Sequence, residues 1–215
     1  MYEKSQKYKN LALFDFDGTL CTKDSFTGFI FYALSKRHII KQGIKILPWI
    51  QAYYLKAYPA HLMRPKLFAA MFKNAEHAEI EAIAQQYSKH LKKHFNTKLL
   101  ERLRQHQSLG DDVVIVSASV NVYLKFIADE LNVDLICTNA EVLEHKLTGK
   151  FATKDCSSAE KAIRTKKEFD LDQYQNIYAY GNSDEDLEML NLANYPYYIG
   201  KDNDLPFLEK IEQFA

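Results

Sequence analysis

The sequence predicts an α/β fold in which a parallel sheet is combined with an inserted helical segment. Short apolar runs predict five strands, at 11–14, 113–116, 135–137, 177–180 and 197–199. Helix-like stretches separate most of these runs, for example at 122–131, 158–169 and 185–192. Continuous apolar strands that alternate with helices are typical of a parallel sheet covered on both faces.

The long interval between the first two predicted strands contains no convincing strand. Its patterning is that of four helices, at 26–35, 43–58, 61–73 and 78–94. A helical block of this size is too large for a simple crossover connection. We therefore expect an inserted α-helical cap domain at 23–96 and a core domain formed by 1–22 and 97–215. A smaller interruption at 141–151 includes Lys146-Leu147-Thr148-Gly149 and predicts a small β-hairpin.

Composition and charge narrow the functional classes. Hydrophobic residues make up 47% and charged residues 26% of the chain, a mixture typical of folded proteins. Basic and acidic residues number 28 each, so the chain has no net positive charge that would attract nucleic acid, and no nucleic-acid partner is expected. Three cysteines without metal-site spacing favour a reducing compartment. Residues 1–10 do not resemble a signal peptide and no apolar run is long enough to span a bilayer, so we expect a cytoplasmic protein without stable membrane insertion.

Polar side chains follow three of the predicted strands, at the points where the strands end. Asp15 and Asp17 come after the first strand, Ser117 after the second, and the acidic segment 182–186 after the fourth. Residues two apart in a strand share a face, so the two aspartates point the same way. Such close carboxylates repel each other unless a cation or a proton lies between them, and Mg²⁺ prefers oxygen ligands. Because ligands bind at the carboxyl ends of strands in open α/β sheets, we expect one polar crevice there.

Four segments, in this order, resemble the motifs of haloacid dehalogenase (HAD) superfamily phosphatases. The nearest group is the phosphoserine-phosphatase-like subfamily IB. Asp15-Phe16-Asp17-Gly18-Thr19-Leu20 is similar to the first motif and Val116-Ser117-Ala118-Ser119 to the second. The segment 155–161, which ends at Lys161, resembles the third motif, and 180–187 resembles the fourth. The resemblance implies a Rossmann-like HAD core with a parallel sheet, a helical cap of the C1 type and a hairpin.

The resemblance assigns a chemical role to each matched residue. Asp15 is the expected nucleophile, which forms an aspartyl-phosphate, and Asp17 is the expected acid and base. Ser117 is expected to hold the phosphoryl oxygens, and Lys161 to balance their charge. The other phosphoryl-binding groups implied are the backbone N–H groups near Phe16, Asp17 and Ala118. Dehalogenases and transport ATPases of the superfamily lack the second acid, so Asp17 argues against both.

The resemblance also implies a Mg²⁺ site. Its expected ligands are Asp15, the carbonyl of Asp17, Asn182 and Asp186, with Asp184 as a further candidate. The family usually has aspartate where this chain has Asn182. An amide oxygen can coordinate Mg²⁺ but brings no charge, so we expect the metal to bind more weakly.

Several of these residues have a second interpretation. Ser117 could instead cap the helix after the second strand. Asp24 either meets a substrate amine or caps the helix that begins near Ser25, and Arg64 either binds a substrate carboxylate or lies on the surface. The alternatives to Lys161 are Lys154, Lys166 and Lys167.

The cap segment 43–58 bears on the substrate. It contains two charged residues, Lys45 and Lys56, together with Trp49 and three tyrosines. It predicts either a helix buried against its cap neighbours or an apolar lid that contacts a membrane interface.

The expected activity is that of a Mg²⁺-dependent phosphatase acting on a small phosphometabolite such as phosphoserine. Three alternatives remain. They are a lipid-phosphate phosphatase similar to phosphatidylglycerophosphatases, a phosphotransferase that uses an acceptor hydroxyl, and a non-catalytic module that binds a phosphorylated ligand. The oligomeric state is left open.

Overall fold

The computed structural model describes residues 9–208. In chain order its strands are β1 (Lys9–Phe14), β2 (Asp112–Val120), β3 (Asp134–Thr138), β4 (Ala140–Leu143), β5 (Lys146–Phe151), β6 (Tyr174–Gly181) and β7 (Tyr195–Tyr198). Five of them form a parallel sheet in the order β3-β2-β1-β6-β7, while β4 and β5 form an antiparallel hairpin. The predicted α/β fold, with its parallel sheet and its hairpin, is confirmed.

The helices of the described chain fall into two groups. In chain order they are α1 (Ser25–Ala33), α2 (Lys36–Lys45), α3 (Leu47–Tyr54), α4 (Ala60–Phe72), α5 (His77–Leu91), α6 (Thr97–Leu109), α7 (Asn121–Leu131), α8 (Ala159–Glu168) and α9 (Leu187–Leu190). Helices α1 to α5 lie between β1 and β2, where the cap was expected, and the others accompany the sheet. The boundaries of the cap at 23 and 96 stay a prediction. Residues 1–8 and 209–215 of the predicted core lie outside the described part.

Both faces of the sheet are buried, as the continuous apolar strands predict. Along β1, Leu11 and Leu13 belong to one apolar cluster, and Ala12 and Phe14 belong to the cluster on the other face. None of these four side chains is exposed to solvent. Neighbouring strands alternate in the same way, so the strands carry few polar groups until their carboxyl ends.

The cap differs from the expectation, because its first part contains three helices instead of two. Helix α2, which the periodicity does not predict, begins after Ser35, whose hydroxyl accepts a hydrogen bond from the His38 N–H. The predicted helix at 43–58 is wrong, because the chain breaks at Ile46 and restarts as α3. Pro48 lies in the first turn of α3, where its missing N–H costs nothing. In an unbroken helix its ring would clash with the carbonyl four residues earlier.

Aromatic packing attaches the cap to the core at two places. The ring of Phe68 on α4 lies 5.2 Å from that of Phe151 on the hairpin. The ring of Phe29 on α1 lies 5.4 Å from Phe72 of the cap and 5.1 Å from Tyr123 on α7. These contacts hold α1 and α4 over the carboxyl edge of the sheet. Within residues 9–208, no helix combines the length and the apolar character needed to cross a bilayer.

Candidate active site

A cavity of about 350 Å³ opens where β2, β1 and β6 end side by side. Its volume lies near the lower end of the usual range for small-molecule sites. From the core it is lined mainly by Asp15, Asp17, Ser117, Ala118, Ser119, Lys161 and Asp186. From the cap it is lined mainly by Asp24, Tyr53, Tyr54, Met63 and Arg64. The fold thus brings the residues singled out at three strand ends into one crevice.

A buried lysine joins two carboxylates at the floor of this cavity. Lys161 Nζ donates hydrogen bonds to Asp15 Oδ1 and to Asp186 Oδ1, each with a donor–acceptor distance of 2.6 Å. Burial by itself lowers the pKa of Lys161, but the two carboxylates outweigh burial and hold that pKa above its ordinary value. Burial raises the pKa of Asp15 to about 7, although Lys161 opposes the rise. Of the four candidate lysines, only Lys161 is buried. It is therefore Lys161 that supplies the positive charge beside Asp15.

Asp186 also organises the loop that follows β6. Its Oδ2 accepts hydrogen bonds from the Asn182 N–H at 3.0 Å and from the N–H and hydroxyl of Ser183, both at 2.9 Å. Ser183 and Asp186 thus form a capping box. These bonds and Lys161 outweigh the effect of burial and hold the pKa of Asp186 below its ordinary value. Both its oxygens are engaged, so a direct bond from Asp186 to a metal stays a prediction.

The loop depends on a glycine at the end of β6. A Cβ atom at Gly181 would lie 2.6 Å from Cβ of Asp186, closer than real Cβ contacts allow. Glycine therefore lets Asp186 pack against the end of the strand.

Asp17 is held by two partners from different parts of the fold. Its Oδ1 accepts from the Ser25 N–H at 2.6 Å, and its Oδ2 accepts from the Ser119 hydroxyl at 2.5 Å. Burial raises the pKa of Asp17, and these hydrogen bonds oppose the rise. The Ser25 hydroxyl is in turn 2.8 Å from the hydroxyl of Tyr123. The sequence reasoning assigned no role beside Asp17 to Ser25 or Tyr123, and it cited Ser119 only as part of a motif.

Three oxygen-bearing groups meet beside Asp15. The side-chain amide of Asn182, oriented so that its nitrogen makes hydrogen bonds, lies 3.1 Å from the Asp17 carbonyl oxygen and 3.3 Å from Asp15 Oδ2. It also lies 3.2 Å from the hydroxyl of Thr19, which donates to Asp15 Oδ2 at 2.8 Å. A Cβ atom at Gly18, where φ is +82°, would collide with this amide at 2.1 Å.

This donor set fits Mg²⁺. One carboxylate and one backbone carbonyl supply hard oxygen ligands, and the Asn182 amide would add a third once it is turned so that its oxygen, instead of its nitrogen, faces them. Within residues 9–208, no group of three or more His, Cys, Asp or Glu is arranged to hold a metal. A site built around a carbonyl and an amide, as here, is of a different type from such a cluster.

Ser117 and Ala118, at the end of β2, line another part of the cavity. Ser117 is buried, and its hydroxyl accepts from the Ser119 N–H at 3.1 Å. Helix α7 is preceded by Val120, which caps it without a side-chain hydrogen bond, so the alternative that Ser117 caps this helix is wrong. The phosphoryl-binding roles of Ser117 and of the N–H groups near Phe16, Asp17 and Ala118 stay predictions.

Arg64 joins the cap to two loops of the core. Its Nε and Nη2 donate to the two oxygens of Asp155 at 2.7 and 2.8 Å. Its Nη1 and Nη2 also donate to the two oxygens of Glu185, both at 3.1 Å. Its side chain is 18% exposed and lines the cavity, so the interpretation that it lies on the surface is wrong, whereas contact with a substrate carboxylate stays a prediction.

Asp24 caps α1, as one of its two interpretations predicts. Its Oδ1 accepts from the Thr27 N–H at 2.9 Å and its Oδ2 accepts from the Thr27 hydroxyl at 2.7 Å. Asp24 also lines the cavity, so contact with a substrate amine stays a prediction.

Comparisons with known proteins agree with this architecture. The sequence profile of the haloacid dehalogenase-like hydrolases matches residues 12–191. Protein CicA of Caulobacter vibrioides is 30% identical over 203 residues, which cover 87% of this chain and 85% of CicA.

Solved structures share the fold at lower identity. A protein of unknown function from Bordetella pertussis Tohama I aligns with a TM-score of 0.74 at 22% identity, covering 88% of this chain and 89% of that one. A substrate-bound phosphoserine phosphatase aligns with a TM-score of 0.64 at 17% identity, covering 88% and 85%. On the profile match and the likeness to CicA, the chain belongs to the haloacid dehalogenase-like hydrolase family.

Proposed function

We propose that this hydrolase is a Mg²⁺-dependent phosphomonoesterase that acts through an aspartyl-phosphate on Asp15. The observation that carries the proposal is the pairing of Asp15 with Lys161 in the same cavity as Asp17, which other residues hold separately. One carboxylate is thus hydrogen-bonded to a lysine, whereas the second accepts hydrogen bonds from the neutral donors Ser25 and Ser119. Two neighbouring carboxylates in different environments suit a nucleophile and an acid.

In the first half-reaction a carboxylate oxygen of Asp15 attacks phosphorus and the bond from phosphorus to the ester oxygen breaks. Asp17 donates its proton to the leaving oxygen, which departs as an alcohol. The raised pKa of Asp17 supports this role, because the carboxyl group retains a proton nearer neutral pH. Lys161 offsets the negative charge that gathers around Asp15.

In the second half-reaction Asp17, now a carboxylate, accepts a proton from water. The water oxygen attacks phosphorus, the bond to Asp15 breaks, and inorganic phosphate leaves. Ser25 and Ser119 keep the Asp17 carboxylate in place during both steps. Asp15, the Asp17 carbonyl and Asn182 would hold Mg²⁺, which when bound would supply charge neutralisation for an anionic nucleophile and an anionic substrate.

The cavity suits a phosphate ester with a small headgroup, and phosphoserine is one such substrate. Recognition of an amino acid through Arg64 and Asp24 would have to replace hydrogen bonds that both already make within the protein. These bonds favour a substrate that is recognised mainly through its phosphoryl group. A reducing cytoplasm remains the proposed location.

The test is Mg²⁺-dependent release of phosphate from an aryl phosphate by purified protein. Asp15→Asn should abolish turnover, and an excess of EDTA should do the same reversibly. Asp17→Asn should retain more activity on an aryl phosphate than on an alkyl phosphate, because an aryl oxide leaves without a proton. Glu188→Gln, which changes an exposed acid on α9, is the matched control and should leave turnover unchanged.

The same experiment separates the alternatives. Faster release of the leaving group on adding glycerol would indicate transfer to an acceptor hydroxyl. Tight binding of a phosphorylated ligand without turnover would indicate a binding module. Full activity in Asp15→Asn would show that the proposed nucleophile is wrong.

A further inference from the structure

The cap carries an exposed surface that the proposed chemistry does not use. We define the cap face as the exposed side chains of α2, α3 and the loop that follows, within residues 36–58. No residue of α2 or α3 itself is buried, although both helices pack against α4. Of the fifteen large apolar side chains exposed in the described chain, ten lie between residues 31 and 62. Those on the cap face are Ile40, Ile44, Leu47, Trp49, Tyr53, Tyr54 and Leu55.

The longer stretch that contains the cap face is strongly basic. Between residues 25 and 75 the chain has eight Lys and Arg residues and no Asp or Glu, which gives this stretch a formal charge of +8. Because the whole chain is neutral, the remaining residues carry −8. The charge balance of the composition therefore conceals two parts of opposite sign.

Helix α2 combines both properties on its exposed side. Arg37, Lys41 and Lys45 lie four residues apart, and so do Ile40 and Ile44, which are 62% and 65% exposed. Residues at this spacing form rows along one side of a helix, and like charges in such a row repel. None of the three basic residues takes part in an ion pair between described residues. Binding of an external anion would therefore relieve the repulsion among these three side chains.

We propose that the cap face docks on the surface of an anionic lipid bilayer. A helix that lies in a membrane interface presents apolar side chains to the acyl region and basic side chains to anionic headgroups. Nucleic acid would use the basic row but would leave exposed isoleucine and leucine without an apolar partner. Nucleic acid and a second copy of this chain are the other occupants that the experiment distinguishes.

The face is continuous with the active-site cavity. Tyr53 and Tyr54, which are 40% and 79% exposed, line both. A phosphate monoester anchored in the same bilayer would therefore meet the cavity at the docked face. This consequence for the substrate rests on the proposed function, whereas docking itself does not.

Trp49 is the only tryptophan of the chain, so its fluorescence reports directly on the cap face. The experiment uses the full chain with Asp15→Asn, so that catalysis has no part in the result. Vesicles of phosphatidylcholine mixed with phosphatidylglycerol should shift Trp49 emission to the blue, and brominated lipid should quench it. Vesicles of phosphatidylcholine alone should bind far more weakly.

Two sets of variants separate charge from apolar contact. R37Q/K41Q/K45Q should weaken binding to anionic vesicles on the order of 100-fold, since each basic residue contributes to attraction at an anionic surface. I44S/L55S should weaken it roughly tenfold or more through lost apolar burial. The matched control K89Q/K166Q/K167Q removes the same charge from exposed lysines outside the face and should bind nearly as tightly as the parent.

Several results would overturn the proposal. Equal losses in the control triple and in R37Q/K41Q/K45Q would mean that only total charge matters. Loss of self-association in I44S/L55S without vesicles, measured by sedimentation velocity, would assign the face to a second copy. Binding to polyanionic DNA as tight as to vesicles, with no effect of I44S/L55S, would assign it to nucleic acid.

The substrate consequence has its own readout in the active protein. R37Q/K41Q/K45Q should lower kcat/KM for phosphatidic acid presented in anionic vesicles, with little change for a soluble aryl phosphate. Unchanged turnover of the vesicle substrate would refute the link between docking and catalysis. Lack of turnover of either substrate would refute the proposed function and leave the vesicle-binding result standing.

Discussion

Replacing Asn182 by aspartate tests the metal site most directly, because the new carboxylate has the size of the amide it replaces. The amide nitrogen lies 3.3 Å from Asp15 Oδ2, so the substitution places two carboxylates against each other. At an effective dielectric constant of about 20, their repulsion at that distance is about 5 kcal/mol. The metal-free protein has a less costly route, which is to bind a proton.

The cost of that route follows from the pKa of Asp15. With a pKa of about 7, this carboxyl group takes up a proton at pH 8 for roughly 1 kcal/mol. The less costly route prevails, so metal-free N182D should lose on the order of 1 kcal/mol of unfolding free energy at pH 8 and bind about one extra proton. If Mg²⁺ relieves the whole of this cost, it should bind about tenfold more tightly than to the parent.

Isothermal titration calorimetry measures both quantities. Titration with Mg²⁺ at pH 8 in two buffers of different ionisation enthalpy gives the affinity and the number of protons released. N182D should release about one proton more than the parent protein. Asn191→Asp, which adds the same charge at an exposed position, is the control. Unchanged Mg²⁺ affinity and proton release in a folded N182D would show that residue 182 does not face the metal.

Three further predictions follow from other contacts. Ser119→Ala removes a hydrogen bond that lowers the pKa of Asp17, so the alkaline limb of the pH profile of kcat/KM should move to higher pH. If the limb does not move, Asp17 is not the acid. Ser158→Gly should raise the unfolding free energy by about 1 kcal/mol in urea denaturation, because Ser158 has a φ of +49° and its side chain makes no capping hydrogen bond to α8. A less stable variant would show that no backbone strain is stored at residue 158. Arg64→Gln should lower the unfolding free energy by about 2 kcal/mol, which is less than the loss of a fully buried ion pair would cost, because Glu185 is partly exposed. Amide hydrogen exchange in α4 should become faster. Exchange at the rate of the parent protein would argue against an anchoring role for Arg64.

The sheet and the strand ends could be predicted because their signals are local. A buried parallel strand needs an unbroken apolar run, and the ends of three such runs carry Asp15, Ser117 and Asn182. Once the strands are parallel and adjacent, the crevice follows from topology.

The cap was predicted less well, although some of its signals were present. Ser35 as a cap and Pro48 as a helix start mark the extra break, and both could have been used. Pro65 shows why such signals mislead, because it lies inside α4, which continues through it. Burial of Phe68 and Phe72 in the core holds that helix together despite the proline.

The partners of the catalytic residues could not be read from the sequence. Ser25 and Ser119 are far apart in the chain, and only the fold brings both of them to Asp17. Exposure of the cap face was equally hidden, since the same apolar residues would suit a buried helix. Arg64 is a similar case, because its carboxylate partners come from two loops distant in sequence.

Residues 25–75 and the remainder of the chain carry formal charges of +8 and −8, so this neutral protein has two parts of opposite sign. In the field of a charged surface such a molecule rotates before it makes contact, so its first encounters are already oriented. At neutral pH and low ionic strength the protein should be retained by both kinds of ion-exchange resin. A cation-exchange resin would bind the basic stretch 25–75, and an anion-exchange resin would bind the acidic remainder.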